Sequence, residues 1–514
     1  MDILPVDGRQ EQVMPLDKPG LWASLQNLGG KSLVYGVGGM ASRLAGFLLI
    51  PLYTRHLTTS DYGIMAVTGT ITSVLSILFP LSLHSAAGRF HFSARDEGER
   101  RLTIGTIWIS MILVGLGAAV VLDQFGSHIF PVIFRDVPFH LYIRPAIWIS
   151  FLSTLSLLPL VTLQVRERPV PYVLITLSRT LLTIGLVVNW VVRRSQGAYG
   201  YLLGTLQALV ILAIPHVILT LRNARLTWRR DIFTAALAFS LPLVPHSLAG
   251  WTLQLSDRAI LQRVVPLGEL GLYSLGYQLG TAMSLFSAAV NAAWVPFLYK
   301  VDAQKGDAAK PELARLTTYY VFFLCFMALG LALLAREIIF LIAAPSFHAA
   351  FRVSPWVVGG LLWDGLYYIP VSFLFLKRRT GLIPLITVSS AVVNVLLNIW
   401  LVPQYGIMAA AWATFLSFGL MLALAWVLAV RVYPFPYEYK RLGTIVLAGV
   451  VLFALGVRLQ AGSVQVVLVG KGALLLSYPF VLALLGFYTR SEKKTAWRSV
   501  RQVLTALHGI VHPR

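Results

Sequence analysis

Apolar runs long enough to cross a bilayer as helices, at roughly 20 residues per crossing, recur along the whole chain. Read in windows of about 19 residues, they number about fourteen, with centres from Arg43 and Ser73 to Leu452 and Val481. The polar gaps between them stay under about 25 residues, too short for a folded core of their own. The pattern predicts an all-α polytopic membrane protein of about 14 transmembrane helices.

Two pairs of short motifs divide that series. LTTSDYGI (Leu57 to Ile64) follows the first span, and VPLGELGL (Val265 to Leu272) follows the seventh, 208 residues later. Both run from an apolar residue through a small residue to an acid, with glycine two positions on. YGYLLGT (Tyr199 to Thr205) and YGIMAAAWAT (Tyr405 to Thr414) open the sixth and twelfth spans at an offset of 206. Nearly equal offsets predict two six-helix lobes in parallel arrangement, 31–225 and 226–432, followed by two further helices over 433–489. Transport sites commonly lie between such repeats.

Residues 1–30 are polar and acidic and lack the basic, apolar and small-residue regions of a signal peptide, so they read as a cytoplasmic tail. Residues 490–514 form a basic tail. Trp497, Val500, Val503, Leu504 and Leu507 fall there at helical spacing, which fits either an interfacial helix on anionic lipid or a solvated tail.

The net charge of +21 would indicate nucleic acid if it lay on one soluble face. Here the basic residues lie in short loops, where they set orientation. With the N-terminus inside, roughly 29 Lys and Arg fall in cytoplasmic segments, about 10 in opposite loops and about 3 in spans. Both termini are then cytoplasmic, and no nucleic-acid partner is expected. The one cysteine, Cys325, sits in an apolar span as a packing residue and excludes an intrachain disulfide.

The charges inside spans carry the chemistry. Arg43 and Arg179 sit near mid-span, where a guanidinium costs a few kcal/mol unless it faces a cavity or a partner. Arg144, Arg55 and Arg89 lie at span ends, where interfacial anchoring is the alternative reading. Asp61, Asp123 and the other acids of the first lobe fall in loops or at span ends, so a buried salt-bridge network is not expected. The prediction is a wet, cationic cavity for an anionic substrate, a phosphate or diphosphate, which arginine binds bidentately.

The second lobe offers oxygen groups instead. Asp257 lies in LQLSDRAIL; Asn394 and Asn398 lie four apart on one helix face; Thr414 begins the next span's polar stripe. These could hold a sodium ion or, at Asp257, a proton. The alternative is interhelical hydrogen bonding, with Asp257 paired to Arg258 or Arg263 at the surface. Asp364 is a further buried-acid candidate. Pro242, Pro245, Pro296, Pro370 and Pro384 predict breaks or kinks. His84, His91, His216 and His246 are scattered and read as structural.

Three stretches carry a family likeness: ASRLAGFLLIPLYTRHLTTSDYGIMAV (Ala41 to Val67), SLPLVPHSLAGWTLQLSDRAILQRVVPLGELGLYSLGYQLG (Ser240 to Gly280) and NVLLNIWLVPQYGIMAAAWAT (Asn394 to Thr414). With them the chain resembles the polysaccharide-export flippases (Wzx-like, of the multidrug/oligosaccharidyl-lipid/polysaccharide exporter superfamily). The resemblance implies two rocking lobes around a central cavity. It implies movement of a polyprenyl-diphosphate-linked oligosaccharide across a bacterial inner membrane for surface polysaccharide synthesis. It also implies a cavity arginine at Arg43 and a cation site at Asp257, Asn394, Asn398 and Thr414, with neutral Asn398 where a second carboxylate can occur. The implied partners are that lipid-linked substrate, membrane lipids and a polysaccharide polymerase or export machinery. No cofactor is expected beyond Na+ or H+ coupling.

Two other functions compete. A drug/cation antiporter on the same fold would need acids in the first lobe's cavity. A membrane glycosyltransferase or ligase would show a D-x-D motif, clustered His and Asp, or a large external loop, and the sequence has none of these. The chain is therefore read as a transporter and not as an enzyme.

Overall fold

The computed structural model describes residues 44–459, 464–490, 492 and 493. Arg43, the N-terminal tail and nearly all of the basic C-terminal tail lie outside the described residues. Among those described there is no strand.

Eleven helical segments among them are long and apolar enough to cross a membrane. Two of these each hold two crossings. Leu267–Leu333, 67 residues long, is divided by the 3-10 turn Gly306–Ala309. Leu382–Val432 has 51 residues and, if straight, would measure about 76 Å at 1.5 Å per residue. That is over twice the hydrocarbon thickness of roughly 30 Å. It turns at Gly406, whose φ of +57° favours glycine. The first span, whose described part includes Ile50–His56, completes fourteen.

Numbered in chain order, span 2 is Thr59–Ser93, span 3 Glu97–Ile133, span 4 Phe139–Val165, span 5 Pro169–Arg193, span 6 Gly197–Asn223 and span 7 Arg230–Val264. Span 8 is Leu267–Gly280 continued by Ala282–Lys305, and span 9 is Lys310–Leu333 continued by Ala335–Ile342. Span 10 is Ser354–Leu376; spans 11 and 12 share Leu382–Val432; span 13 is Tyr439–Arg458 and span 14 Val464–Leu484.

The prolines act by position. Span 7 breaks between Ser240 and Leu243, at Pro242. Pro245 and Pro384 fall in first turns, where no N–H partner is lost. Pro296 and Pro370 sit inside helices that remain continuous. Span 2 breaks after Leu78 at Pro80, with Leu81 and Ser82 at φ 46° and 57°.

The sequence repeat has a physical basis. Asp61 caps span 2 in a capping box with Thr58, and its Oδ1 accepts the Ala198 N–H at 2.9 Å, where span 6 begins. Gly197 there has φ +54°. In the second lobe Glu269, in the first turn of span 8, lies beside Gly406 at the start of span 12. Each lobe thus sets an acid against a left-handed glycine.

The lobes meet reciprocally at this same end. A Cβ on Gly63 would lie 2.0 Å from the Leu267 carbonyl oxygen, and one on Gly271 would lie 1.9 Å from that of Thr59. Only glycine lets these backbones touch. The opposite, basic end gathers other contacts: Arg101 donates to the Arg222 carbonyl at 2.9 Å, and Arg441 pairs with Glu438 and Glu492. Spans 13 and 14 pack on span 9, where Tyr478 stacks on Phe322 at 5.7 Å between ring centres and donates to the Ile445 carbonyl.

Candidate functional site: a cationic cavity between the lobes

A cavity of about 640 Å³ lies between the lobes. Spans 1, 2, 5 and 6 line one side and spans 7 and 8 the other. The wall is polar for a membrane interior, with Thr70, Ser73, Thr183, Gln254 and Gln278 among its side chains. No Asp or Glu is among its described lining residues. It does carry two guanidinium groups, Arg179 from the first lobe and Arg258 from the second.

Arg179 comes from span 5, which is largely unburied by protein. Its Nη1 donates to the Ser156 hydroxyl at 3.3 Å, and no carboxylate pairs with it among the described residues. Ser156 sits in the gap between Arg144–Thr154 and Leu157–Val165, where span 4 bends. A cation held only by a neutral hydroxyl leaves donors for an anion.

Arg258 is held quite differently. Its Nη1 donates to Asp257 Oδ1 and to the Gln254 carbonyl, both at 2.8 Å, and the guanidinium stacks over Tyr277 at 4.2 Å. Asp257 Oδ1 also accepts the Arg258 N–H, and its Oδ2 accepts the Tyr273 hydroxyl. The carboxylate is 1% exposed and the arginine 6%. A pair this buried requires close geometry and further hydrogen bonds, and it has both.

At the end away from the basic loops, the Tyr62 hydroxyl donates to Gln278 Oε1 at 2.5 Å. Gln278 Nε2 donates to the Gly46 carbonyl at 3.1 Å. These bonds join spans 1 and 2 to span 8, from one lobe to the other.

Of the arginines singled out in the sequence, the structure places Arg179 at the cavity; Arg43 lies outside the described residues. Arg144 is corrected: it is not an unpartnered cation. Its Nε and Nη2 hold the two oxygens of Asp123 at 2.7 and 2.9 Å, and Trp148 adds a third donor to that carboxylate. Asp123 looks like a loop acid in sequence, but span 3 continues to Ile133 and brings it alongside. Arg55 is exposed beyond the cavity, and Arg89 is exposed over the Phe239 ring at 4.8 Å.

The second-lobe set is brought together without forming a cation site. Asn398 Nδ2 donates to the Asn394 carbonyl at 2.8 Å; the Ser256 hydroxyl approaches Asn394 Oδ1 at 3.4 Å; Thr414 bonds the Ala410 carbonyl. Asp257 already serves Arg258 and Tyr273, so the cluster has no net negative charge to hold a sodium ion. One acceptor there, Asn398 Oδ1, is buried with no hydrogen-bond partner. The pairing of Asp257 with Arg258 is buried, and not at the surface as the sequence suggested. Arg263 instead donates to the Ile133 carbonyl. Asp364 is half-buried in span 10 and does not line the interlobe cavity. Among the described residues, no three His, Cys, Asp or Glu side chains are grouped to hold a metal.

Sequence reasoning missed Arg258, Gln254, Tyr277 and Gln278 as cavity residues. Helical spacing carried the signal: 254 and 258 share a face of span 7, and 274, 277, 278 and 281 share a face of span 8.

Residues 28–301 match the family described as polysaccharide biosynthesis protein. Two proteins of Haemophilus influenzae are similar over about half of this chain. One, "Lsg locus putative protein 1", is 25% identical over 287 residues, which are 53% of this chain and 66% of that protein. The other, an uncharacterized membrane protein, is 23% identical over 290 residues, 55% of this chain and 68% of its own length. The chain thus aligns to just under two thirds of the first. Among solved structures, the lipid II flippase MurJ in an inward closed conformation superposes with a TM-score of 0.70 at 13% identity, covering 88% of this chain and 100% of that one. An inward-facing multidrug resistance MATE transporter gives 0.61 at 12% identity, over 76% and 95%. The fold is therefore that of polytopic helical transporters. With more than half of its length matched, the chain belongs to the polysaccharide biosynthesis protein family.

Proposed function

We propose that this protein moves a polyprenyl-diphosphate-linked oligosaccharide from the inner to the outer leaflet of a bacterial inner membrane, by alternating access between its lobes. The observation that carries this reading is the interlobe cavity with a guanidinium from each lobe and no lining acid. A diphosphate would sit on Arg179, whose guanidinium has no carboxylate partner among the described residues, with the Asp257-paired Arg258 facing it from the second lobe. Its charge would be met by bidentate donors in a site shielded from bulk water. The polar wall would receive the first sugars, and the lipid tail would remain in the bilayer. At about 640 Å³ the cavity suits a ligand of ordinary pocket size, so the rest of an oligosaccharide needs the lobes to part. Family membership supports a role in polysaccharide synthesis, and the shared fold supports transport over enzymatic catalysis. A cationic drug would need a carboxylate that the cavity wall does not supply.

The test is leaflet-resolved accumulation of lipid-linked oligosaccharide in cells carrying Arg179→Ala in place of the wild type. The expected outcome is build-up on the cytoplasmic leaflet, with surface polymer reduced at least tenfold and the protein folded and inserted. Normal surface polymer in that variant would overturn the assignment.

A further inference from the structure

A second cavity, of about 720 Å³, lies away from the interlobe site among spans 9, 10, 12, 13 and 14, and shares no lining residue with it. Its body is apolar, built by Leu329, Leu362, Phe415, Val450 and Phe453 among others. Its charged lining is confined to one end and is entirely basic: Arg336, Arg352 and Lys471. That end is the one away from the basic loops, because the neighbouring Ala344 N–H donates to Thr54 at the end of span 1. Lys471 is fixed by Glu337 at 2.7 Å, with both side chains over nine-tenths buried. The other Glu337 oxygen is buried with no hydrogen-bond partner. Counting that carboxylate against the three cations leaves an excess of two positive charges.

The depth is informative. From Arg336 to Cys325, both lining the cavity, span 9 descends eleven residues, about 16 Å at 1.5 Å per residue. A single leaflet is half of a core of roughly 30 Å. Trp356, 40% exposed at the same end as Arg352, sits where indole rings mark the head-group level.

We propose that this groove is a binding site for one anionic glycerophospholipid of the outer leaflet. Its phosphate rests on Arg336 and Arg352 and one acyl chain fills the cavity down to Cys325. Along span 13 the groove runs from Val457 to Ile445, twelve residues or about 18 Å at 1.5 Å per residue. That is a little more than one leaflet and well short of the full core, so it suits a single acyl chain better than a polyprenyl chain. The bound lipid joins spans 13 and 14 to the second lobe. The site is independent of the proposed transport cycle.

The test uses the full chain, purified in detergent, loaded with phosphatidylglycerol and examined by native mass spectrometry. The wild type is expected to retain one phosphatidylglycerol in preference to phosphatidylcholine. The double variant Arg336→Gln/Arg352→Gln is expected to lose that retention about tenfold or more. Gly449→Leu provides a second handle, because it fills the groove from span 13. Its first added carbon makes ordinary contact with the Tyr478 hydroxyl at 3.7 Å, and a thermal-unfolding midpoint equal to the wild type's is the check that the variant is folded. It too is expected to lose the lipid. Equal retention by wild type and Gly449→Leu, no preference over phosphatidylcholine, or displacement by equimolar polyprenyl phosphate would each overturn the proposal.

Discussion

The arginines of this chain do different work according to what each one touches. Arg144 is half-exposed and grips Asp123 at a span end. Exposed pairs of that kind contribute about 0–1 kcal/mol. Arg144→Gln is therefore expected to cost under about 1 kcal/mol in thermal unfolding and to leave surface polymer near the wild-type level, in contrast to Arg179→Ala. Arg258 stands at the other extreme. Removing Asp257 leaves a buried guanidinium uncompensated, which typically costs about 3–5 kcal/mol. Asp257→Ala should thus unfold at a markedly lower temperature, and Asp257→Ala/Arg258→Met should recover most of the loss. If the double variant is no more stable than the single one, the pair is not what holds this part of span 7. Arg179 was legible in the sequence because a lone charge in mid-span demands a reason. The pairing of Arg258 with Asp257 was legible too, but its burial beside the cavity was not, because that depends on Tyr273 and Tyr277, from another span.

Among the elements, spans 2 and 8 carry the tightest constraint. The Cβ positions of Gly63 and Gly271 fall 2.0 and 1.9 Å from backbone oxygens across the lobe boundary. Alanine at either site must part the lobes by about 1 Å or more, because packed backbones do not compress. A cysteine at Thr70, on the cavity wall, should then react severalfold faster with a membrane-impermeant maleimide added from outside in Gly63→Ala than in the parent. An unchanged rate would mean that the contact does not seal that end. The sequence announced these glycines through the repeated acid-x-glycine motif but gave no hint of their reciprocal contact, which exists only once both lobes are folded. Element number was legible because each crossing needs its own apolar run. The bends were only partly so: span 7 breaks at Pro242, whereas Pro296 and Pro370 sit within continuous helices.

For the whole molecule, the Tyr62–Gln278 bond is one of several polar links joining lobe to lobe at the end away from the basic loops, beside those of Gln262 with Arg135 and of Arg263 with Ile133. A neutral hydrogen bond of this kind contributes about 0.5–1.5 kcal/mol. Tyr62→Phe is accordingly expected to shift the balance between closed and open forms at this end by roughly two- to tenfold. Spin labels placed on the two lobes would register the shift as a larger population at long distance. No change in that distribution would relegate the bond to passive packing. The reciprocal meeting of Thr59 with Gly271, and of Leu267 with Gly63, has the form of a symmetric dimer contact drawn within one chain. Two free subunits joining through such a contact would forfeit about 4–15 kcal/mol of translational and rotational freedom. A covalent tether between the lobes removes most of that cost, because the association is unimolecular. The contact can therefore be weaker than that of a free dimer and still hold the halves together.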